Sequence, residues 1–115
     1  MERRIDMDTV VNVIRELGVT NKYKGYNQII DALEQKYVAD YCKVTKDVYP
    51  RVARIHHTKP WNVEQNIRTV VKFCWDNSRP QLNKMAGRKL IVMPTNAEFL
   101  DILTWYVKSE EKQRS

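Results

Sequence analysis

Two helices joined by a short polar turn are written into residues 45–75, and no other stretch limits the fold as much. The run reads TKDVYPRVARI, then HHTKP, then WNVEQNIRTVVKFCW. An α-helix advances about 100° per residue. Taken from Val63, that step places Val63, Ile67, Val70, Val71 and Cys74 on one face about 100° wide, the width of a core-facing stripe. Trp61, Gln65, Arg68 and Lys72 fall opposite, with Glu64 and Thr69 flanking them. Long hydrogen-bonding side chains thus crowd the first turns of a helix whose back is greasy. The second helix of a helix-turn-helix has this form when its leading half enters the major groove of DNA.

With 115 residues and 43% hydrophobic content, the chain can fill one core and hardly two. It is read as a single unit over residues 1–115. Lys and Arg number 20 against 14 acids, a surplus that suits an anionic partner such as nucleic acid. Position says more than the total. Lys43, Lys46, Arg51, Arg54 and Lys59 face Asp47 alone between residues 43 and 59, so most of the surplus lies over the first helix and turn of the motif. Cys42 and Cys74 fit no metal-ligand spacing and read as reduced thiols, Cys74 being buried. No apolar run reaches the ~20 residues that span a bilayer. The start MERRIDMD lacks the apolar segment of a secretory signal. The expectation is a cytoplasmic, nucleoid-associated protein with no membrane partner.

Strand alternation is nearly absent, so an all-α fold of six helices is expected. The first runs from about Asp8 to Leu17, with Val10, Val13, Ile14 and Leu17 inward, Asp6 or Asp8 as cap and Gly18 as its stop. The second covers about Tyr26–Val38, burying Tyr26, Ile30, Leu33 and Tyr37 with Ile29 beside them. Lys22 and Lys24 ahead of it are either solvated or phosphate contacts. The third spans about Val44–His56, with Val48, Val52 and Ile55 inward and Lys46, Arg51 and Arg54 outward. Thr45 or Asp47 caps it, and Pro50 bends the helix only if Thr45 does. Thr58 is expected to cap the fourth helix, with Pro60 in its first turn and Asn77 in a left-handed conformation at its end. Phe73 and Trp75 are expected against the C-terminal helices. Trp61 either packs half-buried on the third helix or touches a base methyl or sugar. A fifth helix (about Ser78–Ala86) is anchored by Leu82 and Met85, capped by Ser78 and stopped by Gly87. Arg88 and Lys89 are exposed in the link that follows. The sixth starts at a T-x-x-E capping box, Thr95 and Glu98, and buries Phe99, Ile102, Leu103 and Tyr106, with Trp105 covering an edge. The polar tail from about residue 109 is expected to fray.

His56 and His57 invite a metal reading, but adjacent histidines point in different directions and no Cys or carboxylate cluster completes a shell. A turn or phosphate-facing role suits them better. No nucleophile stands with a matching base. The chain is therefore not read as an enzyme, and no metal or cofactor is expected.

From about Val10 onward the chain resembles the C-terminal DNA-binding effector domain of the stage 0 sporulation protein A family, the master sporulation response regulators. The resemblance rests on ELGV (16–19), KGY (24–26), TKDVYPRVA (45–53), V-E-x-x-IR (63–68), Trp75 and PTNAEF (94–99), recurring in one order. It implies six helices with a helix-turn-helix in the third and fourth, and binding to short promoter boxes of the TGTCGAA type, usually in tandem. The family's base-reading positions fall on Glu64, Gln65 and Arg68. Gln65 stands where the family typically has arginine, and Trp61 replaces a small polar residue. Arg pairs with guanine O6 and N7, Glu with cytosine N4, and Gln with adenine N6 and N7, so an altered box or weaker binding is expected. The family's receiver domain has no counterpart in this sequence, and its phosphorylation control is not carried over.

The leading expectation is a sequence-specific transcription regulator of double-stranded DNA. Glu64, Gln65 and Arg68 would read bases, while Lys46, Arg51, Arg54, Thr58, Lys59, Lys72, Arg88 and Lys89 would hold phosphates. It would be a monomer off DNA or a weak homodimer on it, with RNA polymerase as a further candidate partner. The alternative is a protein-interaction module that pairs with the full-length regulator or with polymerase and uses DNA little.

Overall fold

A computed structural model describes residues 5–39 and 41–114. Ser115, at the end of the expected frayed tail, lies outside the described residues. Six α-helices are present, with no strand among the described residues: α1 (Met7–Glu16), α2 (Gly25–Val38), α3 (Tyr49–Ile55), α4 (Pro60–Asn77), α5 (Arg79–Ala86) and α6 (Asn96–Arg114). α3 and α4, joined by residues 56–59, form the helix-turn-helix. Among the described residues, no helix is long and apolar enough to cross a membrane.

Three helices end in the same way, each through a residue of positive φ. At the end of α1 the Gly18 N–H donates to Arg15 O and the Val19 N–H to Ile14 O, with Gly18 at φ 80°. This paired arrangement satisfies carbonyls that the helix leaves orphaned. α5 closes likewise through Gly87 at φ 72°, with the Arg88 N–H donating to Asn83 O. α3 repeats the pattern through the His57 N–H to Arg54 O and the Thr58 N–H to Ala53 O. There the left-handed position holds His57 at φ 53° in place of glycine. A side chain with a Cβ pays about 1–2 kcal/mol for that conformation. The turn between the two motif helices is therefore strained where the other two are relaxed.

α2 buries a face that its hydrophobicity hides. The expected stripe through Tyr26, Ile30, Leu33 and Tyr37 is rotated, and Tyr26 and Tyr37 are only half-buried. Gly25, Gln28, Ile29, Ala32, Leu33 and Lys36 point inward, together with Ile30. The close approach of α2 to α4 sets this rotation. A Cβ on Gly25 would lie 2.6 Å from the backbone oxygen of Asn66 and 3.1 Å from a methyl of Val70. Beside that crossing the Asn66 Nδ2 donates to Gln28 Oε1 at 3.1 Å. Lys36, 5% exposed, runs its stem through the α2–α6 interface and reaches Asp101 at 2.8 Å.

The third segment is not one continuous α-helix. Residues Val44–Val48 form a wide π-helical turn before α3, with the Val48 N–H bonded to Lys43 O and the Tyr49 N–H to Val44 O. Pro50 accounts for it, since it has no N–H to give the carbonyl four residues back and its ring collides with a carbonyl in that position. Neither Thr45 nor Asp47 takes the cap position, which Lys43 holds. The Asp47 carboxylate instead reaches back to accept from the Lys43 N–H at 2.8 Å. Tyr49 and Ala53 join Val48 and Val52 inside, and Ile55, expected inward, is 49% exposed.

Other helix ends also depart from expectation. The Thr58 hydroxyl does not cap α4. It accepts from Asn62 Nδ2 at 2.9 Å, and Lys59 occupies the cap position without a side-chain bond. Asn77 is the last residue of α4, not a left-handed stop, and its side chain donates back to Phe73 O. Ser78 precedes α5, but its hydroxyl donates to Leu17 O at 2.6 Å, tying the α4–α5 corner to the end of α1. Phe73 packs against Tyr23, with ring centroids 5.2 Å apart, on the N-terminal side rather than against the C-terminal helices. Trp75 lies under the guanidinium of Arg79. Trp105 is 58% exposed, so it covers no edge. The expected capping box forms in full: the Thr95 N–H donates to Glu98 Oε1 (2.8 Å) and the Glu98 N–H to Thr95 Oγ1 (3.1 Å). The Thr95 N–H and hydroxyl, both beside the Glu98 carboxylate, hold that carboxyl below its ordinary range, and Arg88 adds to the effect. The tail continues α6 through Arg114. Glu111 anchors it by accepting from the Asp6 N–H at 2.7 Å and the Tyr37 hydroxyl at 2.5 Å. Asp6 in turn caps α1 through Asp8 and Thr9.

Two substitutions of opposite sign test these backbone constraints in urea unfolding. Gly25→Ala should destabilise by about 1–3 kcal/mol, as overpacking does, because the obstacle is a helix carbonyl and not a side chain that can swing away. His57→Gly should stabilise by roughly 1 kcal/mol by releasing the left-handed position.

Candidate nucleic-acid interface

α4 is divided lengthwise as its periodicity requires. Val63, Ile67, Val70, Val71 and Cys74 are all within 1% of complete burial. Burial pushes the Cys74 thiol up to about 12, so it remains protonated and unreactive at physiological pH. Trp61, Gln65, Arg68, Thr69 and Lys72 are exposed on the opposite side, and Glu64 is half-buried.

Glu64, Gln65 and Arg68 share one wall of an open groove of about 390 Å³. Thr45 and Tyr49 from the third segment and Thr95 and Asn96 from the start of α6 form the rest of its polar lining. Asn96 sits at the centre of this arrangement. It is 6% exposed, and its Nδ2 donates to the Tyr49 hydroxyl at 2.9 Å and to the backbone oxygen of Glu64 at 3.0 Å. One amide thereby ties α3 and α6 to the backbone of α4 at a candidate base-reading residue. The Glu64 carbonyl can only accept, which fixes the amide orientation. Asn96 Oδ1 is left buried without a protein partner. Burial pushes the Tyr49 phenol up, against the opposing effect of the Asn96 bond, and the Glu64 carboxylate adds to the rise. Tyr49 is thus a neutral hydroxyl beside the charges of Glu64 and Arg68.

The expected phosphate contacts do not all lie in equivalent settings. Lys46, Arg51, Arg54 and Lys59 are exposed on the third segment and the turn, and Thr58 is half-buried with its hydroxyl engaged by Asn62. Lys72 is exposed but ion-paired with Asp76 at 2.9 Å. Such a surface pair is worth only about 0.2–1 kcal/mol and leaves the ammonium exchangeable. Arg88 and Lys89 are exposed in the link after α5, outside the groove wall formed by α4. His56 faces α2, with its Nε2 2.6 Å from Asp31 Oδ2, both half-buried, so it braces the turn from behind. No group of three or more His, Cys, Asp or Glu side chains comes together among the described residues.

Sequence reasoning singled out PTNAEF as a motif but assigned no role to Asn96, and it overlooked Tyr49 and the His56–Asp31 pair. Asn and Tyr carry no periodic signal that distinguishes a buried clamp from a surface turn.

The family model described as sporulation initiation factor Spo0A C terminal matches residues 10–107.

Asn96→Ala removes both clamp bonds and leaves the Glu64 carbonyl with its helical partner alone. It should cost about 1–3 kcal/mol in thermal unfolding, with the α4 amides at Glu64 and Gln65 exchanging faster than those of α1.

Proposed function

The chain belongs to the Spo0A C-terminal family, a family of DNA-binding regulatory domains rather than of enzymes, and on that premise we propose that it reads a short promoter box with the outer edge of α4. The observation that carries this reading is the division of that helix: Gln65 and Arg68 stand in solvent while Val63, Ile67, Val70, Val71 and Cys74 on the opposite face are sealed in the core. Arg68 offers both forks to a guanine, Glu64 accepts from a cytosine, and Gln65 suits an adenine. Gln65 shifts the preferred box at one base pair away from guanine and removes one charge attracted to DNA.

Lys46, Arg51, Arg54 and Lys59, with Thr58 and Lys72, hold the sugar–phosphate rails on either side. Arg88 and Lys89 extend the contact from the α5–α6 link. The protein is a monomer in solution, and two copies meet weakly on tandem boxes.

A second reading draws on Ile91 and Val92, which are 87% and 73% exposed beside Arg88 and Lys89. This apolar and basic link suits a protein partner, RNA polymerase or the full-length regulator. A mobility shift with promoter DNA across salt concentrations separates the two readings. The DNA reading expects log K to fall with log salt with a slope near −0.9 per phosphate neutralised, whereas the interaction reading expects no shift at moderate salt.

Selection from random duplexes, followed by single-base variants of the selected site, tests the residue roles. Arg68→Ala should flatten the preference at one guanine at a cost of about 1–3 kcal/mol. Lys46→Ala or Arg51→Ala should weaken every duplex alike and lower the salt slope by about one. A selected box with guanine still required opposite position 65 would refute the altered preference.

A further inference from the structure

The outer edge of α4 is polar except at one place. Trp61, the second residue of the helix, is 64% exposed. At about 100° per residue it lies about 40° around the helix from Gln65 and about 20° from Arg68. Its indole therefore belongs to the same edge as the proposed base readers, ahead of them along the axis. Pro60, with its fixed φ, and the unbroken first turn of α4 give that indole a defined starting direction.

A solvent-facing indole keeps a large apolar area in water, and it becomes favourable where a partner dries it. The major groove presents one apolar feature on its base edges, the C5-methyl group of thymine. Four residues of helix rise about 6 Å, close to two steps of about 3.4 Å along a DNA strand. We propose that Trp61 is a specificity-determining residue that packs its indole on a thymine methyl about two base pairs from the pair read by Gln65. The inference rests on the reading of α4 as the helix in the major groove and adds to it a base contact of a different kind. Hydrogen bonds at Glu64, Gln65 and Arg68 report donors and acceptors, whereas Trp61 reports a methyl group.

Deoxyuridine differs from thymidine by that methyl alone, so it isolates the contact. The full chain is first used to select a duplex from random sequence, and each thymine of the winner is then replaced singly by deoxyuridine. One replacement should raise Kd for the unmodified protein about fourfold, the worth of one buried methyl. Trp61→Ala should bind the thymine and deoxyuridine duplexes equally at that position while retaining the guanine preference of Arg68. Trp61→Phe should keep part of the discrimination, and it serves if the alanine variant folds poorly by circular dichroism. The contact is overturned if the unmodified protein ignores every replacement, or if Trp61→Ala still senses the methyl. It is also overturned if Trp61→Ala weakens all duplexes alike, which would mark stacking on a sugar. If random selection yields no preferred sequence, the major-groove reading of α4 fails and the methyl contact fails with it, an outcome distinct from the other three.

Discussion

The backbone of α4 is gripped from two sides, and the placement of α2, α3 and α6 around it follows from that grip. The Glu64 carbonyl receives the Asn96 amide from α6, and the Asn66 carbonyl, two residues on, lies against the bare Cα of Gly25 in α2. One contact is a hydrogen bond and the other is a steric fit. Neither uses a side chain of the outer edge. A helix that must present side chains to a partner cannot also be held by them, so the constraint falls on main-chain atoms and on the sealed stripe from Val63 to Cys74. Tyr49 then draws α3 into the same clamp, and the π-helical turn ahead of it absorbs the disturbance that Pro50 introduces.

Where side-chain polarity carried the signal, the sequence was readable. The stripe on α4, the Thr95–Glu98 capping box, Leu82 and Met85 of α5 and the glycine stops at Gly18 and Gly87 all stand as periodicity and capping rules place them. Legibility failed where a polar or small residue does the work of a core residue. Gly25, Gln28 and Lys36 are three of the seven inward residues of α2, so its hydrophobic pattern pointed to the wrong rotation. Thr58 looked like a cap because threonine usually is one, but Asn62 competes for its hydroxyl. The outer edge of α4 was legible as a surface, since its exposure is the complement of a clear stripe. The clamp behind it was not, because Asn96 depends on residues distant in sequence.

Electrostatics and strain meet at the turn between α3 and α4. Lys46, Arg51, Arg54 and Lys59 surround it with positive charge, and like charges on a compact motif repel one another in the absence of an anion. His57 adds a left-handed backbone, although two other helix ends in the same molecule show that glycine closes such a turn without cost. His56 offsets part of this through Asp31, which anchors the turn to α2. A motif that is locally uncomfortable on a well-packed support has the character of a surface shaped for a polyanion rather than for solvent.

Glu111 is a single carboxylate that fastens the beginning of the chain to its far end, through the Asp6 N–H and the Tyr37 hydroxyl. Since Asp6 also caps α1, loosening the last turns of α6 unfastens the first helix at the same time. Both ends therefore form one cooperative opening unit. Tyr37 and Glu111 lie near the ends of α2 and α6, whereas Gly25 and Asn96 grip α4 from the starts of the same helices, so the termini can breathe together while the edge of α4 holds its shape.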